Sequence, residues 1–286
     1  MSAGFGYRRV LVMVREGAEA PSFRLAAELA HLLALDLEGL FVENEALLSL
    51  AGLPFAREFT LPRHTWQALD AARTLEQFRI AAERAERMLG ETAAELGIAA
   101  AFSVLRGDPQ SALARQARAG DILVLVEPGA APLHGFAVAE SEILWPATAA
   151  LLLVPVRPGR KRGGIAVLVP ADGNGAVGIA AAIARASAED LVLVGPGDAA
   201  PARAAAALRA AGLPPPRLQA RRTPSLDVKP VAAALRAAGA RLVVLDRAAM
   251  PADASGFLAR LVAEAGVPAL LVGTPAVSPS GAAQQD

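Results

Sequence analysis

Short apolar runs alternate with amphipathic helical patterns along this chain, and the same order occurs twice. The first run, Val10–Val14, is continuously aliphatic, which is typical of a strand buried on both faces of a parallel sheet. Helical spacing of leucines follows at Pro21–Ala34, and a second apolar run follows at Leu37–Val42. After the Pro-, Gly- and Arg-rich linker Val156–Gly164, the pattern restarts at Ile165–Val169. This alternation predicts parallel sheets with helices on both faces.

The further elements of each half are predicted from the same periodicities. In the first half, strands are predicted at Ala100–Leu105, Asp121–Val126 and Ala150–Val154, and helices at Ala71–Leu96, Gln110–Arg118 and Ala139–Trp145. In the second half, strands are predicted at Leu191–Val194, Leu218–Thr223, Arg241–Leu245 and Pro268–Val272, and helices at Val177–Ala186, Val231–Ala238 and Leu258–Ala265. The repeated order predicts a doubled α/β protein.

Length and composition fit two domains. With 286 residues, 54% of them hydrophobic, we expect a first domain at 1–157, a shorter one at 164–274 and a flexible tail at 275–286. Lys and Arg together number 28, as do Asp and Glu, so no broad field attracts nucleic acid or an anionic membrane. The absence of cysteine excludes disulfides and thiol chemistry. Because no apolar stretch approaches the roughly 20 residues of a membrane helix and no signal peptide is visible, we expect a soluble, cytoplasmic protein.

Several segments together resemble a known family. They are the opening strand Val10–Val14, the turn Gly107-Asp108-Pro109 after a strand, the run Asp121–Val126 and the closing Ala150–Pro155. In these segments the chain resembles the universal stress protein family in its tandem form, closely over the first half and loosely over the second.

The resemblance implies a fold, an internal pairing and a ligand. It implies two consecutive open parallel five-stranded sheets of strand order 3-2-1-4-5, adenine nucleotide alpha hydrolase-like, arranged as a pseudo-dimer within one chain. It also implies that Ala150–Val154 pairs with Pro268–Val272, which closes two hydrophobic edges. Some family members bind ATP beyond the carboxyl ends of the strands, using an Asp after strand one and a glycine-rich loop after strand four. Glycines there let backbone amides approach phosphates at a helix N-terminus.

The first half departs from this phosphate-binding pattern. Arg15 stands at the Asp position, and Pro128 and Pro132 each remove a backbone donor from the loop after strand four. Glu127 would place a carboxylate against a phosphate. The candidate nucleotide contacts that remain in this loop are Gly129, His134, Gly135 and Ser141.

The second half keeps the acidic turn but not the loop glycines. Asp172 and Gly173 follow its first strand and match the family's acidic turn, whereas Asp246–Pro251 has neither glycine. We therefore expect a regulatory or adaptor protein with degenerate nucleotide-binding loops that acts by binding rather than catalysis and needs no cofactor. The alternative is an ATP- or AMP-binding switch that uses the first-half loop and retains slow hydrolysis.

A long apolar insertion gives a third alternative, a scaffold. Glu43–Thr60 is far longer than the usual βα connection and carries the apolar segment Leu47–Phe55. It predicts either a short helix folded over its own sheet edge or a surface for an unidentified protein partner. Further homodimerisation stays open. Of the histidines, His31 is interpreted as structural and His64 as a loop residue, so the sequence predicts neither a metal site nor a catalytic constellation.

Overall fold

The computed structural model describes residues 6–14, 20–60, 64–126, 150–155, 162–169, 175–196, 199–210, 217–250 and 254–273. The chain divides into two compact units. The smaller unit comprises Val10–Ala117, and the larger unit comprises Met1–Arg9 with Arg118–Asp286.

The strands of the smaller unit are β1 (Arg9–Val14), β2 (Asp36–Asn44), β3 (Arg57–Thr60), β4 (Thr65–Ala68) and β5 (Ala100–Gly107). Three of them lie side by side in the order β1-β2-β5, and β3 and β4 form a separate hairpin. Strands β2 and β5 are parallel, from Leu37 opposite Ala100 to Asn44 opposite Gly107, whereas β3 and β4 are antiparallel. Gly39 on β2 permits close packing, because a Cβ there would lie 2.6 Å from the Phe102 ring. The helices described in this unit are α1 (Ala20–Leu33), α2 (Glu45–Ala51), α3 (Ala71–Glu95) and α4 (Pro109–Gln116).

In the residues that the structure describes, the larger unit has seven strands in one sheet. Its elements are β6 (Asp121–Val126), β7 (Ala150–Val154), β8 (Gly164–Leu168), α5 (Gly175–Ala186), β9 (Leu191–Pro196), α6 (Ala199–Ala210), β10 (Leu218–Thr223), α7 (Val228–Ala237), β11 (Ala240–Asp246), a 3-10 turn (Arg247–Ala249), α8 (Ala254–Ala265) and β12 (Ala269–Val272). The strand order is β10-β9-β8-β11-β12-β7-β6, and every pair is parallel except β12 with β7.

The structure confirms the predicted fold class, a mostly parallel sheet with helices. Numbered within the second half, the order β10-β9-β8-β11-β12 reads 3-2-1-4-5. For the first half, the smaller unit contains its strands in the order 3-2-1, and the larger unit contains its strands four and five side by side. The predicted pairing of the two last strands is also confirmed, with Leu152 opposite Leu270 in antiparallel register.

Two ion pairs sit where central strands begin. Arg9 Nε donates to Asp121 Oδ1 at 3.1 Å, and the backbone amide of Arg118 donates to Asp121 Oδ2 at 2.8 Å. In the second half, Arg241 Nε donates to Glu189 Oε2 at 2.5 Å. These charges are tolerated in an otherwise aliphatic interior because each is paired and hydrogen-bonded.

Two elements differ from the sequence-based prediction. Strands β3 and β4 were not predicted; they pair on either side of the segment in which His64 was interpreted as a loop residue, and Phe59 and Trp66 form a cross-strand aromatic pair. Helix α6 was not predicted, since its alanine-rich sequence lacks large apolar residues at helical spacing. The predicted helix at Ala139–Trp145 lies outside the described residues.

Candidate functional site

Ligands of parallel α/β sheets bind beyond the carboxyl ends of the strands, and in the smaller unit two such ends form helix caps. At the end of β2, the Asn44 side chain accepts the amides of Ala46 and Leu47 at 3.0 and 3.4 Å. At the end of β5, Asp108 accepts the amide of Ser111 at 2.8 Å and begins α4. The Gly107-Asp108-Pro109 turn therefore has a structural role, with its carboxylate engaged at the helix N-terminus.

In the larger unit, the turn after β11 occupies the place of the second-half nucleotide loop. Asp246 Oδ1 accepts the amide of Ala248 at 2.9 Å, and the amide of Met250 donates to the carbonyl of Arg247 at 3.2 Å. The two amides are thus engaged within the turn itself. A carboxylate also stands where a phosphate-binding loop needs donors.

Tyr7 lies beside this turn and shares its electrostatic environment. Burial raises the pKa of Tyr7 to about 12, while Arg247 opposes this shift and Asp246 adds to it. Burial likewise lowers the pKa of Arg247, against a smaller effect of Tyr7 in the other direction. Tyr7 and the strand-four turn of the second half are therefore close enough to influence each other's ionisation.

The neighbouring strand ends of the larger unit are closely packed. At Gly195, near the end of β9, a Cβ would lie 2.4 Å from the carbonyl oxygen of Val169, so only glycine fits this backbone approach. Thr223, at the end of β10, has a buried hydroxyl to which no group in the described part of the chain hydrogen-bonds.

All six residues predicted to contact a nucleotide, Gly129, His134, Gly135, Ser141, Asp172 and Gly173, lie outside the described residues. Of the other two histidines, His31 is exposed on α1, and His64 is exposed at the start of β4 with its ring centroid 6.2 Å from that of Phe59. Within the described ranges, no group of three or more His, Cys, Asp or Glu side chains could hold a metal ion. The helices described here include none that is both long and apolar enough to cross a bilayer.

The apolar insertion contains a helix and leads into the hairpin. Helix α2 packs against α3 and the edge strand β5, as the helix interpretation of this segment predicted. Beyond that helix, Phe55 is 76% exposed. Trp66 is 66% exposed and lies opposite Phe59, with ring centroids 5.2 Å apart. Sequence reasoning missed Phe59 and Trp66, although aromatic residues on both sides of a short segment that contains proline are a hairpin signal.

Comparison with known proteins gives structural rather than sequence matches. No protein-family model matches the sequence. No curated protein matches it either. A universal stress protein from Archaeoglobus fulgidus superposes with a TM-score of 0.65 at 13% identity, over 96% of this chain and 100% of that chain. A functionally unknown protein from Pseudomonas aeruginosa PAO1 gives 0.58 at 16% identity, over 96% and 95%.

A third solved structure is the cytoplasmic domain of a prokaryotic cation chloride cotransporter, with a TM-score of 0.53 at 14% identity over 94% of this chain and 97% of that chain. At such identities the likeness concerns the fold, and it extends over nearly the whole length of each chain. Together with the strand order of the second half, it identifies the architecture: this chain has the universal stress protein fold.

Proposed function

We propose that the chain is a tandem universal stress protein-like regulator or adaptor that acts by binding rather than catalysis. Its domains would be 1–157 and 164–274, followed by a tail at 275–286. The fold supports the family assignment, and the turn after β11 carries the functional part of the proposal. In that turn the amides of Ala248 and Met250 are already engaged, and Asp246 adds a negative charge.

The physical argument is that a triphosphate needs several unengaged amide donors in a positive environment. Breaking the Asp246–Ala248 hydrogen bond to free one amide would leave the Asp246 carboxylate facing the incoming phosphate, where like charges repel. Tyr7 and Arg247 are partly buried near this turn and affect each other's pKa. On this proposal the second-half site takes no nucleotide, and the chain needs no cofactor. Cytoplasmic localisation is part of the proposal, because a structural neighbour is itself a cytoplasmic domain.

Titration calorimetry of the full chain with MgATP and with AMP tests this function. We expect no binding heat at millimolar nucleotide and no nucleotide retained in native mass spectra of freshly purified protein. Micromolar affinity or a co-purifying adenylate would contradict the proposal.

A matched variant identifies the competing function, an ATP- or AMP-dependent switch in the first-half loop. If wild-type protein binds ATP and Gly129→Val does not, while Gly135→Val weakens binding as well, the switch replaces the regulator. If both variants bind as the wild type does, the nucleotide sits elsewhere, and the second half is tested next with Asp246→Ala.

A further inference from the structure

The strongest unassigned surface of the smaller unit is an aromatic patch formed by Phe55, Phe59 and Trp66. Phe59 is 43% exposed, and the other two rings are exposed over most of their surface. Leu50, in the last turn of α2, and Leu53, just after that helix, are also exposed and precede the same hairpin. Exposed apolar surface of this size matches the largest patches found on monomeric proteins, and such patches are often interaction sites.

The hairpin carries its polar face toward the protein and its aromatic face toward solvent. On the polar face, Gln67 Nε2 donates to Glu58 Oε1 at 2.6 Å, and Glu58 also pairs with Arg73 of α3 at 3.5 Å. Because side chains alternate along a strand, Phe59 and Trp66 lie on the opposite face.

The charge around the aromatic patch and the area it can bury indicate which partner binds there. Binding to an anionic bilayer requires a cluster of Lys and Arg, but Arg57 is the one Lys or Arg residue on the described part of β3 and β4. The chain has a formal net charge of +0, so no long-range repulsion keeps two copies apart. The exposed parts of the three rings and two leucines amount to roughly 500 Å². Two such patches bury roughly 1,000 Å², which is the lower bound for a specific interface.

We propose that the aromatic patch binds a second copy of this chain in a two-fold dimer. Each copy presents the same rings, so a two-fold axis brings Phe59 and Trp66 of one chain onto their equivalents in the other. Aromatic side chains at the centre of the contact supply most of the binding energy. This proposal does not depend on the proposed function, because self-association is measured without nucleotide or any other partner.

Sedimentation velocity of the full chain, from roughly 1 to 100 µM, tests the dimer. We expect a reversible monomer–dimer equilibrium in the micromolar range, weakened at least tenfold in the double variant Phe55→Ser/Trp66→Ser. The matched control is Ile80→Ser, which removes an apolar side chain that is 53% exposed on α3 outside the patch and leaves the dimer unchanged. Circular dichroism and thermal unfolding check that each variant folds.

Fluorescence gives an independent measurement at the patch. The chain has two tryptophans, so Trp145→Phe leaves Trp66 as the single reporter. Its emission moves to shorter wavelength as concentration rises if the patch becomes buried in the dimer. A chain that stays monomeric throughout, a dimer that the patch variants do not weaken, or a monomer that binds phosphatidylcholine/phosphatidylserine vesicles through Trp66 would each overturn the proposal.

Discussion

Tyr7 illustrates how one residue acquires its properties from distant parts of the sequence. It precedes β1, yet its ionisation depends on Asp246 and Arg247, some 240 positions later. Burial keeps the phenol neutral, and the guanidinium of Arg247, itself partly buried, moderates that effect.

Because the pKa of Tyr7 is raised in the folded protein, its contribution to stability is complete below its unfolded pKa of about 10 and is lost as the pH rises toward 12. The loss is of order 2 kcal/mol in the free energy of unfolding. Urea denaturation at stepped alkaline pH should show this fall in the wild type and a flatter profile in Tyr7→Phe.

Absorbance provides a direct check of the same prediction, because Tyr7 is the chain's only tyrosine. The phenolate signal of the folded protein should rise with a midpoint near pH 12, and that of the urea-unfolded protein near pH 10. A folded-state midpoint near pH 10 would show that the side chain is solvated.

Residue roles were the least predictable part of this chain. Gly107-Asp108-Pro109 could be recognised from the sequence, because its cap depends on neighbours within three residues. The environment of Tyr7 could not, since it depends on tertiary packing across the whole larger unit. The six candidate nucleotide contacts remain predictions.

At the scale of elements, the Gly107-Asp108-Pro109 motif, which resembles one of the universal stress protein family, has a structural role at the start of α4. Asp108 begins the helix, Pro109 occupies its first turn, and Gly107 adopts φ of +148°, which only glycine tolerates well. The motif therefore needs no ligand to account for its residues.

Asp108→Ala should lower the free energy of unfolding by about 1 kcal/mol, because the amide of Ser111 loses its acceptor. Asp108→Asn keeps an acceptor oxygen at the cap and should retain most of the stability. Chemical denaturation of the two variants beside the wild type makes the comparison. Equal destabilisation by Asn and Ala would mean that the charge, rather than the cap, is what matters.

Element prediction succeeded where periodicity was strong and failed where tertiary pairing decides. Asp121–Val126, Ala150–Val154 and Leu218–Thr223 have the predicted bounds, and the first two are almost entirely aliphatic. Strands β3 and β4 were not predicted, because strands of four residues show little periodicity. They depend instead on cross-strand contacts such as the pair Phe59–Trp66.

At the scale of the whole molecule, the antiparallel pair β7–β12 joins the sheets of the two sequence halves within the larger unit. Sequence order alone suggested two similar halves, and the family resemblance supplied the pairing partner. Composition could not have done so, because most strands of both halves are equally aliphatic.

A disulfide tests that this pairing forms within one chain. Cross-strand partners lie about 4.5–5.5 Å apart between Cα atoms, which suits a disulfide, so Leu152→Cys/Leu270→Cys should oxidise within the monomer. Because the chain has no native cysteine, only the introduced cysteines can form a disulfide. Non-reducing electrophoresis should show a faster monomer band, and each single variant should show none. Disulfide-linked dimers of the double variant would instead indicate that the strands exchange between chains.

The β7–β12 pair also has a consequence during synthesis on the ribosome. Strand β7 emerges roughly 120 residues before β12, which at about 5–20 residues per second leaves one of its sides uncovered for about 6–24 s. During this interval the uncovered edge of β7 is available to pair with a strand of another nascent chain on the same polysome. Slow translation of the second half would therefore favour chains that exchange strands over monomers in which β7 pairs with its own β12.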